Sequence, residues 1–211
     1  MANTYGEMGG VTVYGVNSFA NILAMSSDGT VFIDSKYEAS KISGSTSYRN
    51  RTSISNDGKS LLYTTTSGNL SIIDPTKPGA ERRELAKNVK SFVASNDGKT
   101  IYYVNDDDEL WCIKGNGKPS KVSDDVSSEY LALSYSNNKI FFLVDYSSRT
   151  GGQLYYSDNG GKRTKVSGGD DVMRVWSTSA NIFFLTVDSD LYRSSGNEKF
   201  VLFQDDANIG Y

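Results

Sequence analysis

The feature that most constrains this chain is a period. A short apolar block recurs five times within 211 residues: Ile22-Leu23-Ala24-Met25, Leu61-Leu62-Tyr63, Ile101-Tyr102-Tyr103-Val104, Ile140-Phe141-Phe142-Leu143 and Ile182-Phe183-Phe184-Leu185. The block starts lie 39 to 42 residues apart. A second block follows each, from Val31-Phe32-Ile33 through Leu110-Trp111-Cys112-Ile113 to Leu191-Tyr192, and a third has the form Lys121-Val122-Ser123 or Lys165-Val166-Ser167. A weaker strand precedes each first block, as in Ser91-Phe92-Val93-Ala94 and Met173-Arg174-Val175-Trp176. Self-similarity at this spacing is the mark of an array whose units cannot hide their apolar faces alone. Each unit therefore reads as four strands, A to D.

The segments are too short for helices and are rich in β-branched and aromatic residues. Ser55-Asn56-Asp57-Gly58-Lys59 and Ser95-Asn96-Asp97-Gly98-Lys99 predict tight A–B turns, with Gly supplying the positive φ. Glu81 to Lys87 has helix propensity, but its place in the repeat predicts strand D. Ile140 to Leu143 does not alternate, so this strand must be covered on both faces. Strand D carries charge, which keeps an edge from pairing with other chains. The expected fold is all-β: a β-propeller of about five four-stranded antiparallel blades, whole or as a fragment of a larger propeller. The expected single domain divides into blades at 9–47, 48–89, 90–127, 128–171 and 172–211. Residues 207–211 read as the start of another strand A.

Composition excludes several chemistries. The chain has no His, one Cys and a net charge of -3. Without His there is no Ser-His or Cys-His nucleophile pair. One Cys allows no internal disulfide and no Cys-based zinc site. The acidic balance argues against nucleic acid as a partner. The longest apolar run, Ile140 to Val144, is far short of the roughly 20 residues of a membrane helix, so no direct membrane insertion is expected. Residues 1–10 lack a basic region followed by an apolar stretch and do not read as a signal peptide. Tyr, Ser, Asn and Gly richness fits an extracellular or cell-surface bacterial domain, with a cytoplasmic one as the other reading.

Two stretches carry a resemblance. Ser95-Asn96-Asp97-Gly98-Lys99-Thr100-Ile101-Tyr102-Tyr103 resembles the Ser-Pro-Asp-Gly-Lys repeat of TolB-type propellers. Leu110 to Lys114 with Lys121-Val122 resembles bacterial propellers related to the low-density-lipoprotein-receptor type. These resemblances imply extracytoplasmic binding or scaffolding modules.

In a four-stranded meander, A–B and C–D turns share one end, and B–C and D–A turns share the other. The second end collects Asp106, Asp107, Asp108, Glu109, Asp124, Asp125, Asp145, Asp170, Asp171, Asp188, Asp190 and Asp205, with Asp28 and Asp206. The first end collects Lys36, Lys59, Lys77, Lys99, Lys114, Lys118 and Lys162. The expectation is one acidic and one basic face, the acidic one attracting cations or basic peptides. The candidate ligand-binding residues are Asp106, Asp107, Asp108, Asp124, Asp125, Asp170, Asp171 and Trp176. Against this stands the simpler reading that Asp favours turns and that Trp176 is packing. Consecutive carboxylates cannot all face one ion, and the Gly and spacing of an EF-hand loop are missing, so neither a metal site nor a cofactor is expected. A glycosidase needs two acids roughly 5–10 Å apart with separated pKa values, and no Gly-x-Ser-x-Gly elbow is present. Cys112 reads as a buried, inert thiol. The expected function is a non-catalytic binding or scaffold module, its protein or glycan partner docking at the acidic axial face. The alternative is a carbohydrate-active enzyme using the same Asp residues.

Overall fold

The computed structural model describes residues 12–16, 22–26, 29–33, 39–43, 52–65, 67–74, 76–77, 80–134, 139–195 and 199–205, with backbone only up to Thr52. The expectations for Asp28, Lys36, Asp206 and residues 207–211 fall outside these residues. Every regular element described is a strand. The first sheet joins β1 (Thr12–Val16), β2 (Ile22–Ser26), β3 (Gly29–Ile33) and β4 (Ala39–Ser43). The second joins β5 (Thr52–Ile54), β6 (Leu61–Thr64), β7 (Leu70–Ile73) and β8 (Arg83–Ala86). The third joins β9 (Val89–Ala94), β10 (Thr100–Asn105), β11 (Leu110–Lys114) and β12 (Ser120–Ser123). The fourth set is β13 (Val126–Leu133), β14 (Lys139–Ser147), β15 (Gly151–Asp158) and β16 (Thr164–Lys165). The fifth is β17 (Val172–Ser177), β18 (Ile182–Thr186), β19 (Leu191–Ser194) and β20 (Val201–Gln204). Each set is an antiparallel meander of neighbours in sequence. Strand β8 takes the place where propensity alone allowed a helix.

Two compact units divide the chain: Met1–Val89 with Asn96–Gly98, and Lys90–Ser95 with Lys99–Tyr211. In the first unit β6 is buried at all four positions, with Leu61 and Tyr63 packed against Ile73. The predicted A–B turn is formed there. The Ser55 hydroxyl donates to Asp57 Oδ1 at 2.6 Å, which also accepts from the Lys59 amide at 3.0 Å. Gly58 and Gly98 hold φ of 72° and 69°. A Cβ on Gly98 would stand 2.8 Å from the Ser60 Cβ, so this glycine serves close approach as well as the turn.

In the second unit the non-alternating strand β14 is the wall between two cores. Ile140, Phe142 and Val144 pack with Tyr102, Val104, Leu110, Cys112 and Val122 of the third sheet. Phe141 and Leu143 point the other way, toward Val172, Val175, Ile182 and Phe184 of the fifth. All five side chains from Ile140 to Val144 are buried, which accounts for the absence of polar residues within that run. Each contributes about 1.5–3 kcal/mol relative to exposure. Cys112 is a buried thiol, its pKa raised by that burial. A Cβ on Gly160 would lie 2.6 Å from its Sγ, and the Gly160 amide donates to the Tyr102 hydroxyl at 2.9 Å.

Candidate functional site

Backbone hydrogen bonds locate the two ends of the second unit. The Gly115 amide donates to the Lys99 carbonyl at 2.6 Å, joining a C–D turn to an A–B turn. The Val126 amide donates to the Asp108 carbonyl at 2.8 Å, joining a D–A turn to a B–C turn. The candidate acids therefore do share one end.

Their backbones are engaged in making that end. Three B–C turns have one construction. In the first, Thr65 donates to the Asn69 carbonyl, Gly68 donates to the Thr65 carbonyl, and Thr65 Oγ1 accepts from the Asn69 amide. Asn105, Asp108 and Glu109 repeat these bonds, and so do Thr186, Ser189 and Asp190. The residue before the last is left-handed in each: Gly68 at 78°, Asp108 at 58° and Ser189 at 68°. So the acidic run from Asp106 to Glu109 has the backbone of its neutral counterpart Thr65 to Asn69. The D–A turns repeat too. Asn88, Asp125 and Asp171 stand one residue before strand A with φ of 54°, 57° and 54°. Asn and Asp tolerate this region better than other residues with a Cβ.

Ion pairs hold several of the remaining carboxylates. Lys90 Nζ lies 2.8 Å from Asp108 Oδ1, and Lys165 Nζ 2.6 Å from Asp170 Oδ1. Lys121 pairs with Asp124 and, at 2.6 Å, with Glu109 Oε1. Glu109 Oε2 accepts from Asn105 Nδ2 at 2.9 Å and Trp111 Nε1 at 3.0 Å. Lys121 first, then Asn105 and Trp111, hold this half-buried carboxyl below its ordinary value of 4.5. Strand-D lysines thus reach across to the acidic end. The other end of the second unit is mixed as well, with Asp158 paired to Lys139 at 2.9 Å. The charge separation expected from loop assignment alone is diluted from both sides, because a lysine side chain reaches about two residues along a strand that rises about 3.3 Å per residue.

Trp176 is not with the acids. Strand β17 runs away from Asp171, and Trp176 lies near its far end, before the turn at Thr178–Asn181. It stacks on Phe183 with ring centroids 5.6 Å apart, in a row that continues through Arg193 to Val201. Phe203 meets Phe183 edge-on at 6.0 Å. Among the described residues no group of three His, Cys, Asp or Glu side chains is placed to hold a metal ion.

Two features of the acidic end escaped the sequence reading, and both lie in the fourth blade. Strand β13 leaves register: Val126 faces Val144, yet Leu131 faces Phe142, so four residues, Ser127 to Tyr130, stand opposite Leu143 alone. The β14–β15 hairpin is also longer than its counterparts, with Ser147 still paired to Gly151. Its base is locked to the next blade through pairing of Gly152 with Val172. Gly151 has φ 70°, and a Cβ there would stand 2.7 Å from the Asp171 carbonyl carbon. The two departures meet. Tyr130 from the bulge and Tyr146 from the hairpin pack edge-to-face with centroids 5.0 Å apart. Burial, followed by the Tyr130 hydroxyl, pushes the Tyr146 phenol up to about 12, with Glu129 adding to the rise and Arg174 opposing it. The one available signal was the longer spacing, 42 residues, between the fourth and fifth apolar blocks.

No protein-family model matches the sequence, and no curated protein matches it. Solved structures do. The GH74 enzyme of Niastella koreensis is similar with a TM-score of 0.61 and 16% identity, over 92% of this chain and 32% of that one. The beta-propeller domain of Cps50 (Swd1) from Myceliophteria thermophila gives 0.58 and 15%, over 87% of this chain and 70% of that one. The C-terminal WD40 domain of Sif2 gives 0.57 and 11%, over 90% and 57%. The fold is a β-propeller. At these identities the likeness is one of fold, and it spans enzymes and WD40 domains alike. The chain covers about a third of the Niastella enzyme and just over half of the Sif2 chain.

Proposed function

We propose that this chain is a non-catalytic binding module whose partner, a protein segment bearing basic groups, docks at the B–C and D–A end of the blades. One observation carries the reading. In the second unit, carboxylates outnumber cations at that end even after Lys90, Lys121 and Lys165 are paired, with Asp106, Asp107 and Asp188 on exposed turns and Asp145 exposed in β14. Such a surface draws cations and speeds their encounter. The resemblance of the Asp-Gly-Lys turns to TolB-type propellers supports an extracellular or cell-surface bacterial module. A carbohydrate-active enzyme using these Asp residues is the competing reading; in such an enzyme Asp170→Asn with Asp171→Asn would abolish glycan hydrolysis.

The test is titration with a decalysine peptide at rising salt. Binding should weaken steeply as the screening length drops from about 10 Å at 0.1 M to about 3 Å at 1 M. Combined Asp106→Asn, Asp107→Asn and Asp145→Asn should lower the affinity. Affinity indifferent to both changes would refute the basic-partner reading.

A further inference from the structure

The chain contains two Asn-Gly pairs, Asn116-Gly117 and Asn159-Gly160, and both lie in C–D turns of the second unit. A glycine after asparagine leaves the next backbone nitrogen unshielded by a side chain, so that nitrogen can reach the asparagine's own side-chain carbonyl. The two turns set this chemistry in unlike surroundings.

At Asn159 the reacting groups are held. The Gly160 amide, which would be the nucleophile, donates to the hydroxyl of Tyr102 in the third blade at 2.9 Å, and Tyr102 is buried. The Gly160 backbone packs against Cys112, where a Cβ would lie 2.6 Å from Sγ. The Asn159 side-chain amide donates to Asp158 Oδ1 at 2.8 Å. The Gly161 amide closes the turn by donating to the Asp158 carbonyl at 2.9 Å. Freeing the Gly160 nitrogen therefore means lifting this turn off the third blade.

At Asn116 the turn projects into solvent, and every residue from Lys114 to Ser120 is exposed. The Gly115 amide anchors the start of the turn to the Lys99 carbonyl at 2.6 Å. Beyond that point, the Gly117 amide donates to the Lys114 carbonyl of its own turn at 2.8 Å. Apart from its chain neighbours, that same oxygen is the one atom of the described residues within 4 Å of a Cβ on Gly117. Freeing this nitrogen breaks one exposed turn bond and displaces no other blade. Openings of this local kind cost far less than separating packed elements.

We infer that Asn116 is a site of succinimide-mediated modification, and that the third blade shields Asn159 from the same reaction. The Gly117 nitrogen bonds to Asn116 Cγ while the Cγ–Nδ2 bond breaks. Nδ2 leaves as ammonia, carrying the proton that the Gly117 nitrogen gives up. Water then opens the ring at either carbonyl and leaves an aspartate or an isoaspartate. Either product puts a carboxylate in the turn between Lys114 and Lys118, and isoaspartate also lengthens the backbone by one carbon. The site lies at the opposite end from the acidic turns, so the inference does not rest on the basic-partner reading.

The experiment incubates the full chain in mildly alkaline buffer. Peptide mapping by mass spectrometry, with enzymatic methylation of isoaspartate, follows both positions over time. Asn116 should convert at least about tenfold faster than Asn159, the ratio given by an opening free energy smaller by about 1.4 kcal/mol. In urea the two rates should converge, because the fold no longer separates them. Tyr102→Phe keeps the ring but removes the acceptor, and should speed conversion at Asn159 alone, with circular dichroism confirming that the variant is folded. Equal rates in the folded chain overturn the inference, and so does an Asn116 advantage that persists undiminished in urea. An Asn159 rate unmoved by Tyr102→Phe overturns the shielding role of the third blade.

Discussion

The third and fourth blades share one core through Phe142 and Tyr102, yet their acidic ends are built differently. In the third blade, the B–C turn from Asn105 to Glu109 repeats bond for bond the turns at Thr65 and Thr186. Two of its four carboxylates, Asp108 and Glu109, are paired locally with Lys90 and Lys121. In the fourth, strand A bulges and the hairpin lengthens, and an edge-to-face aromatic pair appears where the repeat has a plain turn. The lesson is that residues held by the repeat do the work of the fold. Residues that break it are where chemistry not needed for folding collects.

The sharpest way to break this contrast is at the glycines. Gly151→Ala forces a residue with a Cβ to φ 70° and into the Asp171 backbone, so a loss of about 3 kcal/mol or more is expected by urea denaturation. Gly68→Ala, in a regular turn at φ 78° with nothing nearer than 3.9 Å, should cost about 1 kcal/mol. Equal losses would show that the hairpin lock is no tighter than an ordinary turn.

A second comparison pits Val166 against Phe203: Val166 follows Lys165, the last residue of β16, and Phe203 follows the equivalent Leu202 in β20. Val166 is 1% exposed beneath the fifth blade, while Phe203 is 51% exposed. Val166→Ala should cost about 1–3 kcal/mol and Phe203→Ala less than about 1 kcal/mol in this chain. A large loss at Phe203 would mean that its face is covered in solution.

Smaller effects test the turn aspartates. Asp125→Gly keeps the left-handed conformation and should shift stability by no more than about 0.5 kcal/mol, whereas Asp125→Val should cost about 1–2 kcal/mol. If both were equally harmful, the carboxylate rather than the backbone would be what matters there. The smallest effect is expected at Glu109. Its lowered pKa makes its contribution complete above the ordinary 4.5 and fading as pH falls through the folded value. Glu109→Gln should therefore shallow the loss of stability on acidification slightly and leave the neutral plateau almost unmoved.

The repeat, the strand order and the twin-faced burial of β14 were all legible in the one-dimensional pattern. Apolar blocks with turn residues between them leave few other ways to cover themselves. The turn role of Asp57-Gly58 was legible for the same local reason. The position of Trp176 was also within reach, since strand A must run away from the D–A turn. The Tyr130–Tyr146 pair was not, because no local rule says where a strand will slip.

What the sequence determined by itself was periodicity: which segments pair with their neighbours, and which side chains need cover on both faces. These follow from local sterics and from the cost of exposing apolar surface, and both act along the chain. Tertiary structure alone decided which lysine meets which carboxylate, and that Ser127 to Tyr130 would stand off from β14. Those outcomes depend on distances between strands remote in sequence, set by how one blade seats on the next.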